Sequence, residues 1–133
     1  MFNQETNEKP VGLVFGVHRK FDRDILNQFP GYVMNHAKTI GEAIDYLEFS
    51  HYDFILCFDE FADGSTFGFV CALGPAEIAK VIALVDGDSL KNYRQRKTGV
   101  PHFFYAGTKP ELLRFFVDQL VGINRLLPVA CPN

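Results

Sequence analysis

The chain has 133 residues, 47% of them hydrophobic, with 14 Phe, no Trp and a formal net charge of −3. That length fits one domain with a buried core, and that apolar content excludes a disordered chain. The negative charge removes a global electrostatic case for nucleic acid, the apolar runs are too short to cross a bilayer, and the polar start MFNQETNEKP is unlike a secretory signal.

Residues 1–10 read as a flexible N-terminus. VGLVFGV (11–17) is a short apolar run, as expected of a strand buried on both faces. In HRKFDRDILNQF (18–29), Phe21, Ile25 and Phe29 fall at four-residue spacing, one stripe of a helix that Pro30-Gly31 stops. YVMNHA (32–37) is a second, weaker strand. Thr39 and Glu42 have capping-box spacing, and Ile40, Ala43, Ile44 and Leu47 share one face of the helix they open.

YDFILCF (52–58) is the third strand. DEFADGSTFG (59–68) reads as a loop and FGFVCALG (67–74) as a short helix before Gly74-Pro75. KVIALV (80–85) is the fourth strand. A helix over 89–98 follows, capped by Asp88 or Ser89 and closed by Gly99. HFFYA (102–106) is the fifth strand. Thr108 and Glu111 repeat the capping-box spacing, with Pro110 in the first turn. The final helix, 109–126, turns Leu112, Leu113, Phe116 and Leu120 inward, and residues 127–133 form a tail.

Cys57, Cys71 and Cys131 are odd in number and have no C-x-x-C or ligand spacing. Cys57 and Cys71, both in apolar segments, are expected to be buried, reduced thiols of a cytoplasmic protein. Five apolar strands, each followed by a helical segment, predict a single α/β domain: a five-stranded parallel sheet with helices on both faces. Ligand chemistry in such folds gathers at the carboxyl ends of the strands. No P-loop, dinucleotide fingerprint or nucleophile elbow occurs.

The order of segments, from about Val11 to Leu126, resembles the receiver domain of bacterial response regulators, a flavodoxin-like (βα)5 fold. YDFIL, KVIALV and TGVPHFFYAGTKPELL carry the likeness, the last being similar to that family's AGADDYLVKPFSPEEL. The resemblance implies a site at the strand ends. Two acids after the first strand join an acceptor aspartate after the third to hold Mg²⁺. A hydroxyl after the fourth strand and a Lys after the fifth contact the phosphoryl oxygens.

This sequence departs from that pattern. The acidic pair falls on Gly16-Val17 or Val17-His18, the hydroxyl on Val85 and the Lys on Ala106. Counting five residues on from Asp53 puts Phe58 at the acceptor position. A one-residue bulge would bring Asp59 there instead and reverse the side chain's direction. Asp59, Glu60, Asp63 and Asp86 are the acids able to gather around an ion; their other reading is solvated loop carboxylates. His18 reads either as an anion-binding group or as an exposed or capping residue.

The resemblance also implies a partner-binding face around the fourth helical segment, where Lys91, Tyr93, Arg94, Arg96 and Lys97 cluster, with Phe104 on the adjoining strand. Tyr and Arg are favoured at binding hot spots; the other reading is an amphipathic helix with a wet basic side. Phe103 takes the place of the family's switch aromatic but reads as fixed core. Together these features predict a degenerate receiver, or pseudo-receiver: a cytoplasmic, non-enzymatic interaction module in signalling, without cofactor or metal. It would dock a protein partner, or a second copy, through residues 89–126 and bind neither membrane nor nucleic acid. Two alternatives stay open, a phosphorylatable receiver using Asp59 and a small-molecule-binding flavodoxin-like domain.

Overall fold

In the computed structural model, residues 9–16, 27, 29–58, 60–61, 63–85, 99–105 and 107–126 are described. The apolar runs become β1 (Val11–Phe15), β2 (Val33–Ala37), β3 (Phe54–Cys57), β6 (Val81–Val85) and β7 (His102–Tyr105). Between them lie helix α1 (Ile40–Phe49), a hairpin of β4 (Glu60–Phe61) and β5 (Gly64–Ser65), the short helices α2 (Thr66–Cys71) and α3 (Pro75–Ile78), and the final helix α4 (Pro110–Leu126).

The five longer strands form one parallel sheet in the order β2-β1-β3-β6-β7. The order reverses between β1 and β3, and their carboxyl ends frame the crevice where such sheets place ligands. The expected five-stranded α/β architecture is therefore present.

Side-chain alternation assigns each strand residue to a layer. Leu13, Phe15, Ile55, Cys57, Val81, Ala83 and Val85 point to one side, where α1 brings Ala43, Ile40 and Leu47. Val14, Phe54, Leu56, Phe58, Ile82 and Leu84 point to the other, where α4 brings Leu113, Val117 and Val121. Burial on both faces is why β1, β3 and β6 are continuous apolar runs rather than alternating ones. Packing leaves no slack in the second layer. A Cβ on Gly12 would lie 2.4 Å from Phe54 Cζ and 2.8 Å from Met34 Sδ.

Some expectations do not hold. Leu113, Phe116 and Leu120 of α4 do face the sheet, joined by Val117 and Val121, whereas Leu112, one residue and about 100° from Leu113, is 59% exposed. Ile44 lies at the edge of its helix stripe and is exposed, and so is Cys71, on the outer side of α2. The segment read as a loop contains the antiparallel β4–β5 hairpin, and α2 starts at Thr66. Residues 75–78, left without a helix in the sequence reading, form α3, opened by Pro75 at its first position. Residues 17–26 and 86–98, which include most of the helices expected over 18–29 and 89–98, lie outside the described residues. No helix among the described residues is long and apolar enough to cross a membrane.

Candidate functional site at the carboxyl edge of the sheet

Four strands deliver Gly16, Phe58, Val85 and Tyr105 to this edge. Gly16, at φ 82°, turns the chain out of β1, a left-handed conformation that favours glycine. Its N–H donates to the Ala37 carbonyl at 2.8 Å, and its own carbonyl accepts from His36 Nε2, tying the exits of β1 and β2 together.

Phe58 continues the β3 ladder one residue further, its N–H donating to the Phe15 carbonyl at 2.9 Å. Alternation from Phe54 to Phe58 is unbroken, with no bulge up to that point. The ring is therefore directed into the α4-side core beside Leu84 and Leu113, and it is fully buried. The Phe58 carbonyl accepts from the Thr66 hydroxyl, and Cys57 Sγ lies 3.5 Å from it. Thr66 is itself fully buried, so this bond satisfies a hydroxyl that would otherwise be costly to desolvate.

Val85 is buried in the other layer. Its partner in the β6–β7 register, Tyr105, is 61% exposed.

On the α1 side the edge is closed by three rings. Phe15 contacts Phe61 of the hairpin and Phe69 of α2 at centroid separations of 5.6 and 5.3 Å, and Phe61 and Phe69 meet edge-on at 5.5 Å. Phe61, Phe69 and Thr66 were not singled out by the sequence reading. The signal available was Phe61 inside the acidic, Gly-containing segment 59–68 and Phe69 just after it.

Asp63 is engaged as a helix cap. Its Oδ1 accepts from the Ile40 N–H at 3.0 Å, fastening the hairpin to the first turn of α1. Gly64 sits against Ile40 beside it. An oxygen-coordinated Mg²⁺ needs several converging carboxylate or carbonyl ligands in near-octahedral array. Among the described residues no group of three His, Cys, Asp or Glu comes together, the strand-end position is a buried ring, and the nearby Asp63 is turned to α1. The described donor set does not fit a magnesium site. Val17, His18, Asp59, Asp86 and Ala106 lie outside the described residues.

Lys91, Tyr93, Arg94, Arg96 and Lys97 of the expected partner face also lie outside them. Phe104 is half-buried, its ring 5.0 Å from that of Phe116 on α4, while Phe103 packs against the opposite layer. The more exposed apolar side chains on this flank are Tyr105, Leu112 and Phe115. Beneath them His102 lies edge-on to Phe116 at 5.0 Å, and burial holds its imidazole below the usual histidine pKa. At the sheet's amino end the Tyr32 hydroxyl donates to Asp118 of α4. Burial first, and that carboxylate second, raise its pKa above the ordinary tyrosine value.

No family model matches the chain, and no curated protein matches it in sequence. Solved structures do match its fold. The receiver domain of a Francisella response regulator superposes with a TM-score of 0.73 at 22% identity, covering 86% of this chain and 98% of that one. A two-component response regulator from Clostridium difficile gives 0.72 at 14%, covering 86% and 97%. The receiver domain of a sensor histidine kinase from Pseudomonas aeruginosa, solved with magnesium in its active-site cleft, gives 0.71 at 16%, covering 86% and 99%. This chain has the receiver-domain fold. At these identities the likeness is one of fold, and the residues at the strand ends must carry the functional argument.

Proposed function

We propose that the protein is a pseudo-receiver: a cytoplasmic signalling module that acts by docking to a protein partner, without Mg²⁺-dependent phosphorylation of an aspartate. The observation that carries this reading is Phe58. In unbroken strand register, the residue five after Asp53 is an aromatic ring buried in the core. Phosphoryl transfer in this fold depends on a carboxylate nucleophile with its charge neutralised by a metal and a cation. A phenyl ring supplies neither a nucleophile nor an oxygen ligand. Val85, in the hydroxyl position, cannot hydrogen-bond a phosphoryl oxygen, and Asp63 is committed to α1. The basic segment containing Lys91, Tyr93, Arg94, Arg96 and Lys97 is then the docking face.

The test is intact-protein mass spectrometry after incubation with Mg²⁺ and acetyl phosphate. The expected mass is unchanged. An added phosphoryl group that disappears in Asp59→Asn would overturn the proposal and make the protein a working receiver.

A further inference from the structure

The outer face of α1 has an unusual charge arrangement. Its sequence, IGEAIDYLEF, contains Glu42, Asp45 and Glu48 and no Lys or Arg, and its last turn has no basic residue. Glu42 is used, its Oε1 accepting from the Lys38 N–H at 2.7 Å. Asp45 and Glu48 lie in the carboxyl-terminal half, where the helix dipole favours cations. Both are exposed, and neither has an ion-pair partner among the described residues, where Arg114–Asp118 is the pair present.

Around the helix, Ile44, Glu48, Asp45 and Phe49 follow one another at roughly 0°, 40°, 100° and 140°. The two acids thus sit between two apolar side chains, 43% and 81% exposed. Phe49 is the most exposed large hydrophobic residue among those described. An acid pair flanked by an aliphatic and an aromatic side chain is complementary to arginine or lysine. The stem packs on the apolar groups, the head meets the carboxylates, and a guanidinium stacks on the ring.

The chain itself contains a segment of that chemistry. Residues 90–97, LKNYRQRK, hold Lys91, Arg94, Arg96 and Lys97 with no acid among them, and Leu90 and Tyr93 interleaved. We infer that residues 90–97 of a second copy dock on the outer face of α1, between Ile44 and Phe49, with their cations on Asp45 and Glu48. The contact pairs two different segments of the chain, so two copies either make it reciprocally and close, or make it once and leave one acidic face and one basic segment for further copies. It extends the proposed docking role to a self-partner but does not depend on phosphoryl chemistry: the mass measurement above tests one and association tests the other.

Three proteins decide it by sedimentation velocity: wild type, the acidic-face variant Asp45→Lys/Glu48→Lys, and the basic-segment variant Arg94→Glu/Arg96→Glu. The expected result is wild-type association at about 10 mM ionic strength that is lost at about 1 M, as the screening length falls from about 30 Å to about 3 Å. Each variant alone should be monomeric at low salt. Mixed, they should associate again at low salt, because each retains the native surface the other has lost and the two reversed surfaces are complementary to each other. A monomeric wild type at low salt, association that survives the Asp45→Lys/Glu48→Lys change, or a mixture that stays monomeric overturns the inference. Circular dichroism of each variant establishes that it is folded before it is mixed.

Discussion

Truncating Phe58 to alanine removes a ring from between β3, β6 and α4 without touching any polar group. The cavity should cost about 3–5 kcal/mol, the usual range for a fully buried Phe→Ala change, read as a lower urea midpoint at constant slope. A loss below about 1 kcal/mol would mean that the ring contributes little and that the strand end is looser than its burial indicates. His102 gives a second prediction at this scale. Its pKa is lowered by burial, so the unfolded chain binds the proton more readily than the folded one. Stability is therefore fully present above the ordinary histidine pKa of about 6.5 and declines as pH falls through and below it. Melting temperatures between about pH 8 and pH 5 should show this decline. His102→Phe, which keeps a ring against Phe116, should flatten it; an unchanged slope in that variant would assign the effect to other groups. Sequence alone left one position open and put one side chain, Leu112, on the wrong face. Phe58 and Asp59 competed because a bulge is a property of the backbone, and no residue type in this stretch marks or excludes one. Leu112 and Leu113 both fall within a helical stripe, and only the docking of α4 onto the sheet decides which is covered.

Elements with a strong period were legible, and short ones were not. β1, β3 and β6 are apolar runs because both their faces are buried. The α1 cap was visible in Thr39 and Glu42: the Glu42 N–H donates to Thr39 Oγ1 at 3.2 Å, although the Glu42 carboxylate reaches the Lys38 N–H rather than that of Thr39. The β4–β5 hairpin was invisible because two-residue strands are too short for alternation to register. Its contribution to α1 was equally hidden, since Asp63 and Ile40 are far apart in sequence and meet only in the fold. Asp63→Ala removes that cap and should destabilise by about 1 kcal/mol. Hydrogen exchange should quicken at the first turn of α1, and Asp63→Asn, which keeps the accepting oxygen, should restore most of the protection. Equal exchange in the alanine variant would show that the aromatic contacts of Phe61 hold the hairpin by themselves.

At the scale of the molecule, the alternation of apolar runs with helix-period segments was enough to give the sheet and its two helical layers. It was not enough to show what the edge of that sheet does, because a fold is fixed by many weak, redundant preferences and a site by a few side chains. β3 is the central one of the three strands buried between the two layers. β3 and the residue after it send Phe54, Leu56 and Phe58 to one side and Ile55 and Cys57 to the other. Withdrawing that ribbon uncovers both halves of the interior at once, so the loss of β3 opens the two layers together.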